Sequence, residues 1–255
     1  MRKVIFLFAL MLSLSLSAQT KVKMMTFNLR FGELATLDEL AEVIKKENPD
    51  YVALQEVDVK TLRPRAKHQN GKDFLSELAF KTGMFGIYGK TIPYEGGYYG
   101  IGILSKYPFV ETKKVKLPSI DPAKEPRVVL YGLTEGANGD SLIVACTHLD
   151  YSSSASRLAQ VATVKSVLEP LPYPVILGGD FNAFPDSPEV KESFMNWSSL
   201  TNDQPTFSTK NPKSKIDYIF GFPEKAWKLI STEVLNTKVS DHFPVMSVVE
   251  MMNTK

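Results

Sequence analysis

The chain has 255 residues, is 44% apolar, and carries 30 basic against 28 acidic side chains. That is apolar material enough for one large core, and it excludes a disordered, collagen-like or disulfide-scaffold polypeptide. A formal charge of +2 also excludes the overall basic surplus expected of a nucleic-acid binder, whose affinity rests on phosphate contacts, although a local basic patch stays open.

The first segment, "MRKVIFLFALMLSLSLSAQT", has a basic start, an apolar run and a small-residue end. This is the layout of a secretory signal peptide over residues 1–18, cut near Ala18, and the run is shorter than the ~20 residues of a membrane span. The expectation is one domain over 19–255, exported to the periplasm or the extracellular space. Losing Arg2 and Lys3 from 30 basic residues leaves 28, level with the acids, so the mature chain is formally neutral.

"KVKMMTFNLRF" then reads as a strand. "TLDELAEVIKKEN" reads as a helix, with Thr36 as N-cap and Glu39 as its capping-box partner. "DYVALQEVD" is a strand with a polar end, and "GKDFLSELAFKTG" a helix closed by Gly83. From Phe85 to Leu133 the pattern is strand-rich, with turns at "PYEGG", "SKYP" and "PSIDPAKEP". "SLIVACTHLD" is a strand whose lone Cys146 reads as a small core residue. A helix over "SASRLAQVATVKSVLEP", a strand at "YPVILGGD" and a short helix at "SPEVKESFMN" follow. "KIDYIFG" and "FPVMSVVEM" are late strands. Helix-linked and hairpin-linked strands together predict an α/β domain of layered sheets, with no repeat evident.

Polar residues collect where these apolar runs end: Asn28, Glu56, His148, Asp150, Asp180, Asn182, Asp217, Asp241 and His242. Singly, each reads equally as a cap or turn residue. Together they form a set rich in carboxylates and amides at the strand ends where layered-sheet folds place sites. Oxygen ligands suit a hard cation such as Mg²⁺ or Mn²⁺, and three histidines with one cysteine are too few and too scattered for a zinc cluster. Glu56 is the best metal ligand, with Asn28 and Asp241 beside it. A phosphate ester fits such a site because its oxygen completes the cation's shell.

Asp180 and Asn182 are two residues apart, so an extended chain points both to one face. Gly178 and Gly179 before them permit close backbone approach or unusual dihedrals. Asp180 is expected to deprotonate a water and Asn182 to donate to phosphate or to that water. Asp217 is expected to hold His242 in its cationic form, and His148 to serve as a second cationic imidazole. Asp241 and His242 can both reach the site only if the chain turns between them.

The blocks "TFNLRFG", "LQEVD", "GIGILSKYP", "THLD", "GGDFNAFPDSP", "IDYIF" and "SDHFPV", in this order from about Val22 to Glu250, resemble the signatures of the endonuclease/exonuclease/phosphatase superfamily. The resemblance implies a four-layer α/β/β/α sandwich of two mixed sheets flanked by helices, with the site at one edge. It also implies Glu56 as principal Mg²⁺ (or Mn²⁺) ligand with Asn28 and Asp241 assisting. Asp180 and Asn182 take the water and phosphate roles, His242 with Asp217 forms the supporting pair, and His148 matches a second histidine found in some branches. The implied activity is divalent-metal-dependent phosphoester hydrolysis.

Arg127, Asp150 and Tyr99 are assigned to the substrate or its phosphate. Arg157 and Gln160 share one helical face and read as structural, while Arg63 and Arg65 lie in a basic loop that either contacts substrate or is merely solvated. The substrate stays open. A nuclease is disfavoured by charge; a sphingomyelinase-like lipase would use Tyr88, Tyr94, Tyr98 and Tyr99 as exposed aromatics, or the same tyrosines wall a pocket. A non-catalytic binding protein is the alternative of another class, and a monomer is expected.

Overall fold

A computed structural model describes residues 20–121, 125–136 and 139–252. The expected leader lies outside the described residues. Most strands here are buried on both faces, so alternate residues enter different apolar layers.

The first sheet begins with β1 (Thr20–Asn28), crosses over α1 (Leu37–Glu47) and returns as β2 (Tyr51–Val59), parallel to β1. The Thr36–Glu39 capping box starts α1, as read from sequence. A second helix, α2 (Phe74–Thr82), ends at Gly83 in the left-handed conformation and leads into the hairpin β3 (Phe85–Tyr94) and β4 (Gly97–Ser105). The second sheet opens with β5 (Phe109–Lys116), β6 (Val128–Glu135) and β7 (Ser141–His148). From β7 the chain crosses α3 (Ser154–Leu168) to β8 (Val175–Asp180), again parallel. The single turn α4 (Pro188–Lys191), the two-residue β9 (Ser198–Ser199) and β10 (Asp217–Phe222) follow, and the chain then rejoins the first sheet as β11 (Trp227–Val234) and β12 (Val245–Met251).

The sheets have six strands each, ordered β11-β12-β1-β2-β4-β3 and β5-β6-β7-β8-β10-β9. Each has one parallel pair near its centre, joined by a helix, and antiparallel partners outside it. The two halves repeat one arrangement that the sequence does not display.

Alternation assigns the layers. Met24, Ala53, Val144, Cys146, Ile176 and Ile219 meet between the sheets. Met25, Phe27, Val52 and Leu54 face α1 and α2, and Ala145, Val175, Leu177 and Phe220 face α3. The four-layer sandwich is therefore present. Cys146 is fully buried, accepts from Gln55 Nε2 at 3.4 Å, and has its thiol pushed up to about 12 by burial. Among the described residues no helix is long and apolar enough to cross a membrane.

Two segments differ from the sequence reading. β11 was not anticipated, because its side chains are mostly exposed and carry no clean alternation. The helix expected over "SPEVKESFMN" shortens to α4, with turns after it.

Gly178 sets the spacing between sheets below the site. A Cβ there would lie 2.9 Å from Ala53 Cβ and 2.9 Å from Met24 Cε, both on the opposite sheet. Neither Gly178 nor Gly179 has a positive φ, so close approach, not an unusual dihedral, explains the pair. Gly178→Val is expected to cost about 1–3 kcal/mol in overpacking, read as a lower urea midpoint with unchanged m-value.

Candidate active site

The inner-face rows do not stop where the apolar core stops. On β8 the row runs Ile176, Gly178, Asp180; on β7 it runs Val144, Cys146, His148; on β1 it runs Met24, Thr26, Asn28. In register, His148 stands beside Asp180 and Asp217 stands beside it on the other side. The apolar sandwich thus ends in a polar rung, and Asn28 reaches across from the other sheet to donate to Asp180 Oδ2 at 3.1 Å.

Glu56 joins by a different device. Strict alternation on β2 would send it away from this face, since Gln55 points inward. A bulge between Leu54 and Val57 breaks the pairing with β4, and Glu56 takes a positive φ of 55°. Bulges that re-aim one side chain are common next to active sites, and a non-glycine residue in this region costs of order 1–3 kcal/mol. Asn28 Nδ2 donates to Glu56 Oε1 at 3.1 Å, tying Glu56 to the Asp180 cluster.

Asp180 Oδ2 is the point of convergence. His148 Nε2 lies 3.5 Å from it and His242 Nε2 3.7 Å. His242 Nδ1 contacts both oxygens of Asp217, at 3.0 and 3.2 Å. Burial alone would lower the pKa of His242, but the charges of Asp217 and Asp180 outweigh it and raise the value to about 9. Burial and the neighbouring Asp217 raise Asp180 to about 7. Two carboxylates enclosed together resist joint ionisation.

Several residues behave differently from their sequence assignments. His148 was expected as a cation. Burial, followed by the charges of Arg127 and His242, holds its pKa well below the ordinary value, so it is neutral, and its buried Nδ1 has no partner among the described residues. Asn182 was expected beside Asp180 on one strand face. The strand ends at Asp180, and Asn182 turns to φ 48°, donating its backbone N–H to Asp180 Oδ1 at 2.9 Å and its Nδ2 to Leu149 O at 3.1 Å. The alternation rule does not survive that turn, and Asn182 orients Asp180 instead.

Asp241 and His242 do separate, as they must. His242 faces inward, while Asp241 sits at the rim in an ion pair with Arg30. Arg30 also pairs with Glu33, and Arg65 Nη2 reaches Glu33 at 2.8 Å, so the rim is a chain of alternating charge. Arg127 is buried, with Nη1 2.9 Å from Glu125 Oε1 and its Nε without a partner. Asp150 Oδ1 accepts from Ser152 N, Ser152 Oγ and Ser153 N at 2.7–2.8 Å, closing a turn at the foot of α3. Burial opposes ionisation of Asp150, but these bonds and Arg127 win and lower its pKa. Tyr99 is buried beside Tyr94. Arg157 pairs with Glu189 at 2.9 Å, and Gln160 joins Asp150 N to Pro118 O, so both are structural. Arg63 is neither solvated nor free, being held by Asp58.

Three contributors carried no assignment. Arg30 follows Asn28 by two residues in "NLRFG". Ser240, which opens "SDHFP", donates its Oγ to Asn28 O at 2.7 Å and accepts from His242 N at 3.3 Å, clamping the His242 loop to β1. Lys215, two residues before Asp217, donates to Asp217 O at 2.7 Å and is lowered by burial to about 8.

A divalent cation fits this donor set. Asp180, Asp217 and His242 offer ligand atoms within 4.8 Å of one another, and the raised Asp180 marks negative charge in want of a counter-ion. With His242 Nδ1 taken by Asp217, carboxylate oxygens are the open donors, which suits a hard ion. Asn28 offers its amide N–H groups here, because its Oδ1 accepts from Arg30 N at 2.9 Å.

Two six-stranded mixed sheets under helices, with buried acid and imidazole groups at one edge, define a hydrolase-type sandwich. The model of the Endonuclease/Exonuclease/phosphatase family matches residues 25–242, and the chain belongs to that family, whose members hydrolyse phosphoester bonds. No curated protein sequence matches it. Among solved structures it is similar to a family protein from Bacteroides thetaiotaomicron, at TM-score 0.76 and 18% identity over 92% of this chain and 99% of that one. It is similar also to the mannosyl-6-phosphatase Bt3783 of Bacteroides thetaiotaomicron VPI-5482 (TM-score 0.72, 19% identity, 89% and 99% covered). A third similar structure is ANGEL2, a 2',3'-cyclic phosphatase (0.69, 17%, 91% and 95%).

The His242 pair has a pH signature. Its folded pKa of about 9 exceeds the ordinary 6.5, so its stabilisation is complete below pH 6.5 and disappears as pH rises through about 9. In chelator, the stability gap between wild type and His242→Gln should shrink across that window in urea titrations; a gap constant with pH would refute the cationic pair.

Proposed function

We propose that the protein is an exported, divalent-metal-dependent phosphoester hydrolase in which Asp180 activates the attacking water. The observation that carries this reading is the convergence of Asn28, His148 and His242 on one oxygen of a carboxylate whose pKa is raised to about 7. A base poised near neutrality can take a proton from water.

Glu56 would hold the Mg²⁺ or Mn²⁺ ion, with Asp241 and the Asp180–Asp217 carboxylates on its other sides. Bound there, the ion would neutralise charge on the phosphoryl and leaving oxygens. Asn28 keeps Glu56 and Asp180 in fixed relation, and Asn182 fixes the rotation of the Asp180 carboxylate through its backbone N–H. His242, kept protonated by Asp217, donates from Nε2 to a phosphoryl oxygen. Neutral His148 borders the same space, and Arg127 brings a buried guanidinium with a free N–H to the phosphate side. Water oxygen joins phosphorus as the P–O ester bond breaks, Asp180 takes the water proton, and the departing alkoxide takes a proton from solvent.

The names of two similar structures, a mannosyl-6-phosphatase and a 2',3'-cyclic phosphatase, support small phosphate esters as substrates. The neutral mature charge gives a nuclease less support. Export rests on the basic-apolar-small layout of residues 1–18.

Asp180→Ala is expected to lower kcat by about 10²- to 10⁴-fold, and His242→Ala by about 10²- to 10³-fold, with circular dichroism unchanged. Chelator should abolish turnover of p-nitrophenyl phosphate or its bis-ester, and Mg²⁺ or Mn²⁺ should restore it. Turnover retained in chelator or in either variant would refute the mechanism.

A further inference from the structure

Beside Glu56 the rim opens into a cavity of about 160 Å³, lined by Phe31, Glu56, Arg63, Ile92, Tyr94, Tyr99 and Glu125. Glu56 is shared, so whatever fills this cavity is attached to the phosphate that the hydrolase reading places next door. Its size is about half the lower end of ligand pockets, roughly 300 Å³, so it takes one ring or a short chain, not a base with its sugar.

The lining is also selective in kind. The Arg63 guanidinium lies 4.0 Å from the Phe31 ring centre, 4.2 Å from Tyr94 and 5.2 Å from Tyr99. It therefore occupies ring faces on which a planar base would stack. Asp58 holds the same guanidinium at two points, 2.5 and 3.0 Å, cancelling its charge. Glu56 and Glu125 border the cavity, and with Arg63 held by Asp58 and Arg127 by Glu125 the lining offers no uncommitted side-chain cation to a second phosphate. Carboxylates only accept, so their natural partners are hydroxyl groups. Glu125 Oε1 lies 2.9 Å from Arg127 Nη1 in an ion pair that lacks hydrogen-bond alignment, so this buried oxygen stays open to a donor such as a ligand hydroxyl.

We infer that this cavity selects the alcohol part of the substrate, and that this part is a small, uncharged, hydroxyl-rich group such as a single sugar ring. The inference rests on the hydrolase reading for the position of the phosphate, but not for the chemistry of the cavity. Ile92 is its non-polar wall, and a larger side chain there closes it.

The test uses the Mg²⁺-loaded Asp180→Asn protein, so that binding is read without turnover. Titration calorimetry would compare a hexose 6-phosphate, a hexose bisphosphate, a nucleoside 5'-monophosphate and inorganic phosphate. The hexose monophosphate should bind at least tenfold tighter than inorganic phosphate, with the bisphosphate and the nucleotide gaining nothing. Ile92→Trp, or Glu125→Gln should the tryptophan variant fail to fold, should erase the advantage. A nucleotide or bisphosphate that binds tighter, a hexose ester no tighter than phosphate, or an advantage that persists in the folded variant would each overturn the inference. Wild-type turnover of p-nitrophenyl phosphate is measured separately: if it is absent while the hexose advantage stands, the hydrolase reading falls and the cavity assignment does not.

Discussion

The hydrogen bond from Asn28 to Asp180 is the contact on which the site depends, because it joins the two sheets at their polar ends. It is short enough to form only where the sheets approach closely, and Gly178 permits that approach by presenting no side chain to Ala53 and Met24. Packing and chemistry are therefore one constraint. The inner face that builds the core at Ile176 and Cys146 delivers Asp180 two steps, and His148 one step, further along the same rows. A single residue slip on β8 would move Asp180 to the helix side and fill the site with an apolar chain.

The same enclosure sets the electrostatics. Asp180, Asp217 and Glu56 concentrate negative charge in an enclosed space, and the side chain set against the Asp180 and Asp217 carboxylates is cationic His242. Arg30 and Arg63 are spent on Asp241 and Asp58, and Arg127 stands against Glu125. Burial, and after it the charges of Arg127 and His242, keep His148 neutral, while the carboxylate side is left in need of a further positive charge.

Much of this was legible in the residues. The capping box at Thr36, the Gly83 stop and the fully apolar strands announce themselves because local chemistry and burial coincide there. Asn28, Glu56, His148, Asp217 and His242, all read from strand ends, come together around Asp180, whereas Asp150 closes a turn at the foot of α3. What escaped did so for physical reasons. β11 is an exposed strand, so its pairing with β12 leaves no apolar signature. Asn182 and Glu56 depend on positive φ values that a period-of-two argument cannot see. Arg30 and Ser240 matter only through partners 211 and 212 residues away. The neutrality of His148 follows from its burial and then from Arg127 and His242, none of which the sequence places beside it.

The order of the strands has one more consequence. β1 lies between β2 and β12, so the first sheet takes its centre from the start of the chain and its flank from the end. A polypeptide made or threaded from its N-terminus must hold β1 with one edge unpaired until the last residues arrive, and the loop carrying His242 arrives with them. Long-range closure of this kind is slow and leaves an open edge in the meantime. The polar edge that holds Asp180 therefore gains His242 only when that loop docks.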